Sequence, residues 1–361
     1  QEGVDLIEVV WARIPMEFTR SYGRRAISEL ERLNERLNVD IVHLHCPMIS
    51  WATPQFHRCI QNIAPVVSSL HGSWLGERDG LLEASMAKEA AVWANVNDIA
   101  IRFTAERYAK FENIAITESS ICVANSRATR ADFESRYNPP SNWDCEVVHW
   151  GVDTEMFRPL DIENEQENRN FTEIRTRFGA VSPGSKLLLA VGRLAARKGY
   201  GTLIRGFSAL NKEMPNTKLV IVGRGHLKRR LMRLAKSLGV GEDVMIESSL
   251  SFAELAQLYR SSDLVVYPSF YEGQGLIPLE ALASGVPVVT VDHGPLPEMV
   301  DESVGALFTM GNIESMVSVM KEVLKAGRKK GEKGRARVLQ KFTYSGNAES
   351  FENIYLEAIN R

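Results

Sequence analysis

The sequence PSFYEGQGLIPLEALASGVPVV, residues 268–289, constrains the fold of this chain more than any other stretch. It follows an apolar strand predicted over Asp263–Tyr267 and precedes another predicted over Val286–Val291. A glycine-containing loop and a short helix, predicted over Pro278–Ser284, lie between these strands. A strand, a tight loop and a helix N-terminus in this order present backbone N–H groups and a positive helix dipole to an anion, most often a phosphate.

Two glutamates lie in this stretch, Glu272 in the loop and Glu280 in the helix, with seven residues between them. Carboxylates accept hydrogen bonds from neutral hydroxyls, such as those of ribose or a sugar ring. The backbone N–H groups of Gly275, Leu276 and Ile277 are expected to face the phosphates. A phosphate-binding loop between two hydroxyl acceptors predicts a site for a sugar nucleotide.

Apolar β-rich segments alternate with helical patterns along the whole chain. This alternation predicts an α/β fold in which parallel sheets are covered by helices on both faces. Two successive sets predict two Rossmann-like domains. The predicted strands are Leu6–Trp11, Ile41–Leu44, Val66–Leu70, Ile121–Ala124, Val147–His149, Leu187–Val191, Lys218–Val222, Val244–Ile246, Leu264–Tyr267, Val286–Val291 and Ala306–Phe308. Helices predicted between the early strands include Tyr22–Leu37, Leu82–Asn95 and Thr104–Ser119.

The domain boundary is predicted near Asp153–Asn170. This stretch is polar and acidic and carries few large apolar residues, which predicts a linker or surface excursion and not a core element. The chain is therefore divided into an N-terminal domain over residues 1–155 and a C-terminal, nucleotide-sugar-binding domain over residues 156–341. The last segment, Phe342–Arg361, carries aromatic and aliphatic residues near helical spacing.

Composition narrows the function classes. A net charge of −2 over 361 residues argues against general nucleic-acid binding. Four scattered cysteines lack metal-site spacing and favour a reducing, cytoplasmic environment. No apolar run has the roughly 18 residues of a membrane span. A basic helix lies in the second half, and its cations favour a solvated face, with contact to the anionic inner face of a membrane as the alternative. Those cations are Lys228, Arg229, Arg230, Arg233 and Lys236.

Four segments resemble motifs of one enzyme family. EGQGLIPLEALASGVPVV resembles the E-x7-E motif of the retaining GT-B glycosyltransferases, in particular glycosyltransferase family 4. VGRLAARKG (191–199) is similar to the family's phosphate loop, SLHGSW (69–74) to its N-domain histidine loop, and HWGVDTEMFRP (149–159) to the segment that leaves the N-terminal domain. The resemblance implies a GT-B fold, with two Rossmann-like domains facing across a cleft and the terminal helix packing back on the N-terminal domain.

The resemblance also implies a reaction and its donor-side residues. A sugar would move from a nucleoside-diphosphate donor to an acceptor hydroxyl with retention at the anomeric carbon, as in a hexosyltransferase, without a metal or other cofactor. Arg193 and Lys198 would hold the diphosphate and stabilise the leaving nucleotide. Glu272 would lie near the donor sugar and Glu280 would accept from the ribose hydroxyls. The alternative for Arg193 and Lys198 is a pair of solvated surface cations. The alternative for Glu272 is a turn residue, and for Glu280 a carboxylate on a helix surface.

Other residues acquire roles only through this resemblance. His71 would contact the donor sugar or the reaction centre, whereas a histidine that caps a strand end is the plainer account. Arg224 and Gly225 would neighbour the nucleotide base. Gln274 replaces an aromatic residue common in the family and is expected beside the donor sugar. His43 and His45, which alternate along one strand, favour structural or cleft-lining roles over a metal site, because no third ligand accompanies them.

The acceptor is left open among a saccharide, a lipid-linked molecule and a small molecule. Alternatives to a transferase are a GT-B phosphorylase-type or hydrolase-like enzyme, a non-catalytic sugar-nucleotide-binding protein and, less favoured, a nicotinamide oxidoreductase. The chain begins at Gln1, and no Gly-rich loop precedes Asp40. Because family members open with a strand and such a loop, the N-terminal domain is expected to be truncated, with an unpaired sheet position and weak transfer activity.

Overall fold

The alternation of strands and helices predicted from the apolar pattern is found in the computed structural model of this chain, which describes residues 4–9, 18–45, 51–89, 92 and 95–361. The strands are β1 Val42–His45, β2 Val66–Leu70, β3 Ile121–Ala124, β4 Cys145–Val147, β5 Lys186–Val191, β6 Thr217–Val222, β7 Val244–Glu247, β8 Leu264–Tyr267, β9 Val288–Val291 and β10 Gly305–Phe308. The helices are α1 Phe18–Leu37, α2 Thr53–Asn62, α3 Trp74–Met86, α4 Val96–Glu118, α5 Arg127–Tyr137, α6 Glu165–Arg177, α7 Tyr200–Glu213, α8 Lys228–Ser237, α9 Phe252–Ser261, α10 Leu276–Ala283, α11 Leu296–Met299, α12 Ile313–Ala326, α13 Lys329–Lys341 and α14 Tyr344–Ile359.

Two compact units divide the chain. The first contains Gln1–Leu75, Phe103–Val148 and Ala348–Arg361, and the second contains Gly76–Arg102 and His149–Asn347. The segment Ala348–Arg361 lies in the first unit, where the resemblance placed the terminal helix. The early segment Gly76–Arg102 lies in the second unit, whereas a single boundary at residue 155 assigned it to the N-terminal domain. No helix among the described residues is both long and apolar enough to cross a membrane.

The first unit is built on a parallel sheet in the order β1-β2-β3-β4. The side chains of β2 and β3 are buried, as expected for central strands of a parallel sheet. Ile354 and Ala358 of α14 pack with Val67, Ile121 and Val123 in one apolar cluster. The C-terminal helix therefore covers one face of this sheet.

The second unit is built on a parallel sheet in the order β10-β9-β8-β5-β6-β7. The chain enters at β5, runs outward through β6 and β7, and then returns to the other side of β5 with β8. Leu188 of β5 lies opposite Leu264 of β8 in the register. The strand order reverses at this pair, and open α/β sheets bind ligands beyond the carboxyl ends of the strands at such a switch point.

Each of the ten strands lies within two residues of a predicted one. The strand predicted over Leu6–Trp11 is wrong for residues 6–9, which form no strand, and residues 10 and 11 lie outside the described part. The helix predicted over Leu82–Asn95 is also wrong for the described residues after Met86, namely 87–89, 92 and 95, and residues 90, 91, 93 and 94 lie outside the described part. It ends at Met86, and Lys88 has a positive φ of 58° that is incompatible with a continuing helix.

The predicted linker over Asp153–Asn170 is wrong beyond Asn164, because α6 begins at Glu165. The side chain of Asn164 accepts hydrogen bonds from the N–H groups of Gln166 and Glu167, which caps the helix. Acidic residues in the first turn and basic residues in the last turn favour the helix dipole. The charges that suggested a linker therefore stabilise a helix.

The segment Gly76–Arg102 packs within the second unit although it precedes β3 in the chain. Leu81, Ala84 and Val92 are buried in the core of that unit. Glu89 accepts hydrogen bonds from the N–H groups of Gly201 and Thr202 at the start of α7, where its charge meets the positive end of the helix dipole. We call this segment, residues 76–102, the docked segment.

Candidate functional site

The loops after β5 and β8 meet at the switch point of the second sheet. Lys198 lies at the end of a short 3-10 turn, Ala196–Lys198, and its ammonium pairs with the carboxylate of Glu272. The hydroxyls of Tyr267 and Ser269 donate to the same carboxylate oxygen at 2.7 and 2.6 Å. The structure therefore brings together two predicted site residues from different loops.

The carboxylate of Glu272 is ionised despite its burial. Burial by itself raises the pKa of Glu272, but the charges of Lys198 and Arg197 and the hydrogen bond from Ser269 outweigh it and hold the pKa at about 2. Burial lowers the pKa of Lys198, and the nearby carboxylate opposes that change. The result is a buried charge pair whose members stabilise each other.

Arg197 is a member of this site that sequence analysis missed. Its guanidinium lies 3.0 Å from Glu77 of the docked segment and donates to the carbonyl of Tyr271 at 3.3 Å. Its own carbonyl accepts from the N–H of Phe270 at 2.8 Å, which ties the two loops together. The only sequence signal was its place beside Lys198 in the phosphate loop.

Arg193 differs from its two basic neighbours in the loop. Its side chain is exposed just beyond β5, and no carboxylate of the described residues lies within ion-pair distance of it. An exposed guanidinium at the carboxyl end of a strand retains its full capacity to bind two phosphate oxygens. Arg193 is therefore the cation of this loop that is available to an anionic ligand.

The N-terminus of α10 is formed as the sequence predicted, two residues earlier. Gly275 precedes the helix with φ of +95°, a conformation that favours glycine. Leu276 and Ile277 are the first two helical residues, and N–H groups in a first turn have no acceptor inside the helix. Pro278 follows and has no N–H to satisfy. These amides lie at the end of the helix where the dipole favours an anion.

Gln274 does not present its amide to a ligand, contrary to its expected place beside the donor sugar. The side chain is only 2% exposed. Its oxygen accepts from the N–H of Trp150 at 2.8 Å, and its nitrogen donates to the carbonyl of Trp150 at 3.0 Å. Gln274 therefore joins the loop after β8 to the segment that enters the second unit.

Glu280 lies on α10 and is mostly buried. One carboxylate oxygen accepts from the hydroxyl of Tyr259 at 2.7 Å. Burial raises the pKa of Glu280, and the hydrogen bond from Tyr259 opposes this. Tyr259, which sequence analysis did not select, holds this carboxylate through one oxygen. No described residue donates to the other oxygen, and its contact with a ribose stays a prediction.

The loop after β6 lies against the phosphate loop. The carbonyl of Arg224 accepts from the N–H of Leu194 at 2.8 Å, and Gly225 packs on the backbone of Leu194 so closely that a side chain has no room. The guanidinium of Arg224 is exposed, and its Nε donates to the carbonyl of Ser248 at 2.9 Å. Both residues border the site, and their contact with a nucleotide base stays a prediction.

His71 belongs to the first unit, where it follows β2 as predicted. Its ring stacks on that of His45 with 5.5 Å between centroids. Burial, with a contribution from His45, lowers the pKa of His71 to about 4, so the imidazole is neutral at pH 7. Its contact with a sugar stays a prediction.

His43 has both ring nitrogens engaged, which supports the structural role favoured from the sequence. Nδ1 lies 2.6 Å from the hydroxyl of Tyr355, and Nε2 lies 2.7 Å from the hydroxyl of Ser69. Within the described part of the chain, no three His, Cys, Asp or Glu side chains cluster as metal ligands would.

Two family models match the chain in succession. Glycosyltransferase Family 4 matches residues 1–156, and Glycosyl transferases group 1 matches residues 172–337. Together they span most of the chain, and the second contains both loops of the site.

Relatives with curated descriptions agree with these matches. An uncharacterized glycosyltransferase of Methanocaldococcus jannaschii is 30% identical over 272 residues, which make up 74% of this chain and 62% of that protein. The GDP-mannose-dependent alpha-(1-6)-phosphatidylinositol monomannoside mannosyltransferase of Mycolicibacterium smegmatis is 31% identical over 227 residues, 61% of this chain and 56% of that protein. The matched part of the chain thus spans less than two thirds of the length of these relatives.

Solved structures share the fold. Sucrose-phosphate synthase from Thermosynechococcus elongatus superposes with a TM-score of 0.72 at 18% identity, over 95% of this chain and 80% of that one. HepE from Anabaena, solved in complex with UDP-glucose, superposes with a TM-score of 0.68 at 17% identity, over 96% of this chain and 85% of that one. With its two parallel α/β sheets and both family matches, the chain belongs to the GT-B glycosyltransferases, and among them to glycosyltransferase family 4.

Proposed function

We propose that this chain transfers a hexosyl group from a nucleoside-diphosphate sugar to an acceptor hydroxyl, with retention of configuration and without a metal ion. One observation carries the proposal. Cations of the phosphate loop, the N-terminus of α10 and the glutamates Glu272 and Glu280 lie around the carboxyl ends of β5 and β8. Anion-binding groups flanked by two hydroxyl acceptors match the chemistry of a nucleotide sugar.

The diphosphate of the donor binds to the cations of the phosphate loop and to the N-terminus of α10. Arg193 offers an unpaired guanidinium, and Leu276 and Ile277 offer backbone N–H groups at a positive helix end. Lys198 adds charge from a buried position, where it is already paired with Glu272. In a water-excluded site, preorganised charges of this kind stabilise a developing anion more strongly than they would in water.

The carboxylates of Glu272 and Glu280 accept hydrogen bonds from the hydroxyl groups of the sugar and the ribose. Glu280 accepts from the ribose with the oxygen that Tyr259 leaves available. Glu272 lies near the transferred sugar and is kept ionised by its cations. Its main effect is electrostatic and positional, because three protein groups already donate to one of its oxygens.

The reaction breaks the bond between the anomeric carbon and the β-phosphate oxygen, and the diphosphate departs with the electron pair. The acceptor hydroxyl bonds to the anomeric carbon on the same face, and its proton passes to the departing phosphate oxygen. Arg193, Lys198 and the amides of α10 stabilise the charge that grows on the diphosphate. His71, whose imidazole is neutral at pH 7, is the residue of the first unit for which a contact with the sugar is proposed.

A nucleotide-sugar donor is also supported by the structural neighbours, since HepE was solved with UDP, with UDP and glucose, and with UDP-glucose. The Mycolicibacterium relative is described as GDP-mannose-dependent. Both uridine and guanosine donors therefore belong in the first screen. The acceptor class stays open among a saccharide, a lipid-linked molecule and a small molecule.

Contact with an anionic membrane surface is proposed for the basic face of α8. Its cations are exposed, and such a helix can lie against acidic headgroups at the cytoplasmic face. Flotation with vesicles rich in anionic lipid, compared with neutral vesicles, tests this contact. Equal recovery with both vesicle types would contradict it.

Calorimetry with UDP, GDP and ADP and their sugars tests the donor site. Arg193→Ala should weaken nucleoside-diphosphate binding tenfold or more, because charge-assisted hydrogen bonds contribute about 1.5–3 kcal/mol each. Stability should not change, since the side chain is exposed. Arg169→Ala, an exposed arginine on α6, is the matched control. Equal loss in both variants, or none in either, would contradict the assignment.

Product analysis completes the test. Turnover should persist in EDTA, and the new glycosidic bond should keep the configuration of the donor. Loss of activity in EDTA with recovery on adding Mg²⁺ or Mn²⁺ would disprove metal independence. Release of free sugar or sugar phosphate in place of a glycoside would favour the hydrolase-like or phosphorylase-type alternatives.

A further inference from the structure

Asp98 is a buried carboxylate for which the described residues provide no hydrogen bond and no ion pair. It lies in the first turn of α4, within the docked segment, and is only 6% exposed. Its Oδ2 is fully buried and has no hydrogen-bond partner, and no described residue forms an ion pair with it. A buried polar group without a partner is costly, so its presence requires an explanation.

Asp98 does not cap helix α4, so capping does not explain why its carboxylate is buried. The side chain of Asn95 performs that role by accepting a hydrogen bond from the N–H of Asn97 at 3.1 Å. Among the described residues, no N–H donates to the carboxylate of Asp98. Its charge near a helix N-terminus is favourable, but that attraction leaves the oxygen unsatisfied.

The surroundings of Asp98 belong to the donor site. His226, Arg197, Glu77 and Arg193 all lie within electrostatic range of its carboxylate. Two contacts hold the docked segment there. Glu77 pairs with Arg197 at 3.0 Å, and Asn95 lies 3.4 Å from Nδ1 of His226. Burial raises the pKa of Asp98, as expected where the carboxylate has no donor of its own.

The charges around Asp98 restrict the kinds of ligand that can bind beside its carboxylate. A cation would be repelled by Arg193 and Arg197. An anion would be repelled by Asp98 itself. Neutral hydroxyl groups fit both constraints, because they donate to a carboxylate without adding charge. A ligand with neutral hydroxyl groups, such as a sugar, therefore fits this position.

We propose that Asp98 accepts hydrogen bonds from the hydroxyl groups of a sugar ring bound beside the phosphate loop, and so selects the sugar that takes part in transfer. The ring is either the sugar of the donor or the acceptor. The inference rests on the proposed function, because it assumes that the phosphate loop holds a sugar nucleotide. Asp98 would thus be a specificity residue supplied to the donor-binding unit by a segment from the N-terminal half of the chain.

Asp98→Asn tests the proposal, with Glu106→Gln, an exposed carboxylate on the same helix, as the control. Calorimetry should give the same nucleoside-diphosphate affinity as the wild type within about twofold, because the diphosphate does not contact Asp98. Loss of a charge-assisted hydrogen bond corresponds to about tenfold or more. If the donor sugar is the ligand, affinity for the nucleotide sugar falls by that factor. If the acceptor is the ligand, donor affinity is unchanged and the acceptor KM rises by that factor.

The melting temperature of the ligand-free protein gives an independent measure. Asp98→Asn should melt at or above the wild-type temperature, since it removes an unpaired buried charge. A clear fall in melting temperature would assign Asp98 a structural role and overturn the proposal. Unchanged donor affinity, acceptor KM and sugar preference would overturn it too and leave the proposed function intact. A wild-type protein that neither binds nor transfers any nucleotide sugar would contradict both.

Discussion

The loop after β8 and the helix α10 each carry one glutamate of the E-x7-E pair, and the two carboxylates are held in opposite ways. Glu272 accepts from Lys198, Tyr267 and Ser269, and its pKa is lowered to about 2. Glu280 accepts only from Tyr259 among the described residues, and burial raises its pKa. Both side chains are mostly buried, so burial alone does not separate them.

The difference shows what decides the state of a buried carboxylate. Desolvation disfavours the charge on both glutamates, but only the loop glutamate lies beside two cations. Glu272 is therefore a preorganised member of a charge network. Glu280 has one carboxylate oxygen to which no described residue donates, and its contact with a ribose is a proposal. The following changes are designed to remove or reverse this contrast.

Glu272→Gln should give the largest loss of stability. It leaves Lys198 buried without a counter-charge, and breaking a buried ion pair costs about 3–5 kcal/mol. Urea unfolding should show that Lys198→Met combined with Glu272→Gln is more stable than Glu272→Gln alone. Glu280→Gln, the matched control, should change stability by less than about 1 kcal/mol. If Glu272→Gln and Glu280→Gln lost equal amounts of unfolding free energy, the two glutamates would not differ in the way described.

The pair of Lys198 and Glu272 should make the free energy of unfolding depend on pH in the acid range. The pKa of Glu272 in the folded chain, about 2, lies below its ordinary value of 4.5. The unfolded chain therefore binds the proton first, so this stabilisation is complete above about pH 4.5 and is lost as the pH falls toward 2. The difference corresponds to about 3 kcal/mol. Unfolding free energies at several pH values should fall less steeply for Glu272→Gln than for the wild type.

Glu280 should contribute with the opposite sign, because its folded pKa is raised. Its burial costs stability once the pH exceeds the ordinary range of a glutamate, and this cost is absent when the carboxyl is protonated. Glu280→Gln should therefore gain stability relative to the wild type as the pH rises from 4 to 7. If the unfolding free energies of the wild type and Glu280→Gln changed in parallel with pH, the carboxylate of Glu280 would be well solvated in the folded chain.

Gln274→Leu should lower the unfolding free energy by about 1–3 kcal/mol, because the N–H and carbonyl of Trp150 lose their partners. The preference among donor sugars should not change, since the amide is bonded to the backbone. Denaturant unfolding and transfer rates with several sugar nucleotides measure both effects. If the preference among donor sugars changed while stability did not, Gln274 would contact the donor sugar and the structural role would be wrong.

The smallest effect is expected from Glu280→Gln on ligand binding. Affinity for the nucleoside diphosphate should fall about tenfold, because a neutral amide is a weaker acceptor for ribose hydroxyls than a carboxylate. With a 2′,3′-dideoxy analogue the wild type and the variant should bind alike. Tyr259→Phe, which removes only the hydroxyl that holds the carboxylate, is the control. A tenfold loss that persists with the dideoxy analogue would contradict the ribose assignment.

Local sequence patterns predicted much of this architecture. Strands such as Val66–Leu70 and Leu264–Tyr267 were predicted with their observed bounds, because buried parallel strands are short, continuous apolar runs. The helix α6 was missed, because its charged residues resemble a linker until the cap at Asn164 is seen. The helix predicted over Leu82–Asn95 was placed past the observed end at Met86, because the turn with a positive φ at Lys88 has no strong local sequence signal.

The sequence by itself determined the α/β class, the positions of the two loops and of the glutamate pair along the chain, and the family. Only the tertiary structure decided that Lys198 meets Glu272, 74 residues away, and that Gln274 bonds to Trp150, 124 residues away. It also decided that the docked segment brings Asp98 to the phosphate loop. Apolar periodicity and glycine loops act over a few residues and are visible locally. Partners across loops depend on strand order, which long-range packing selects.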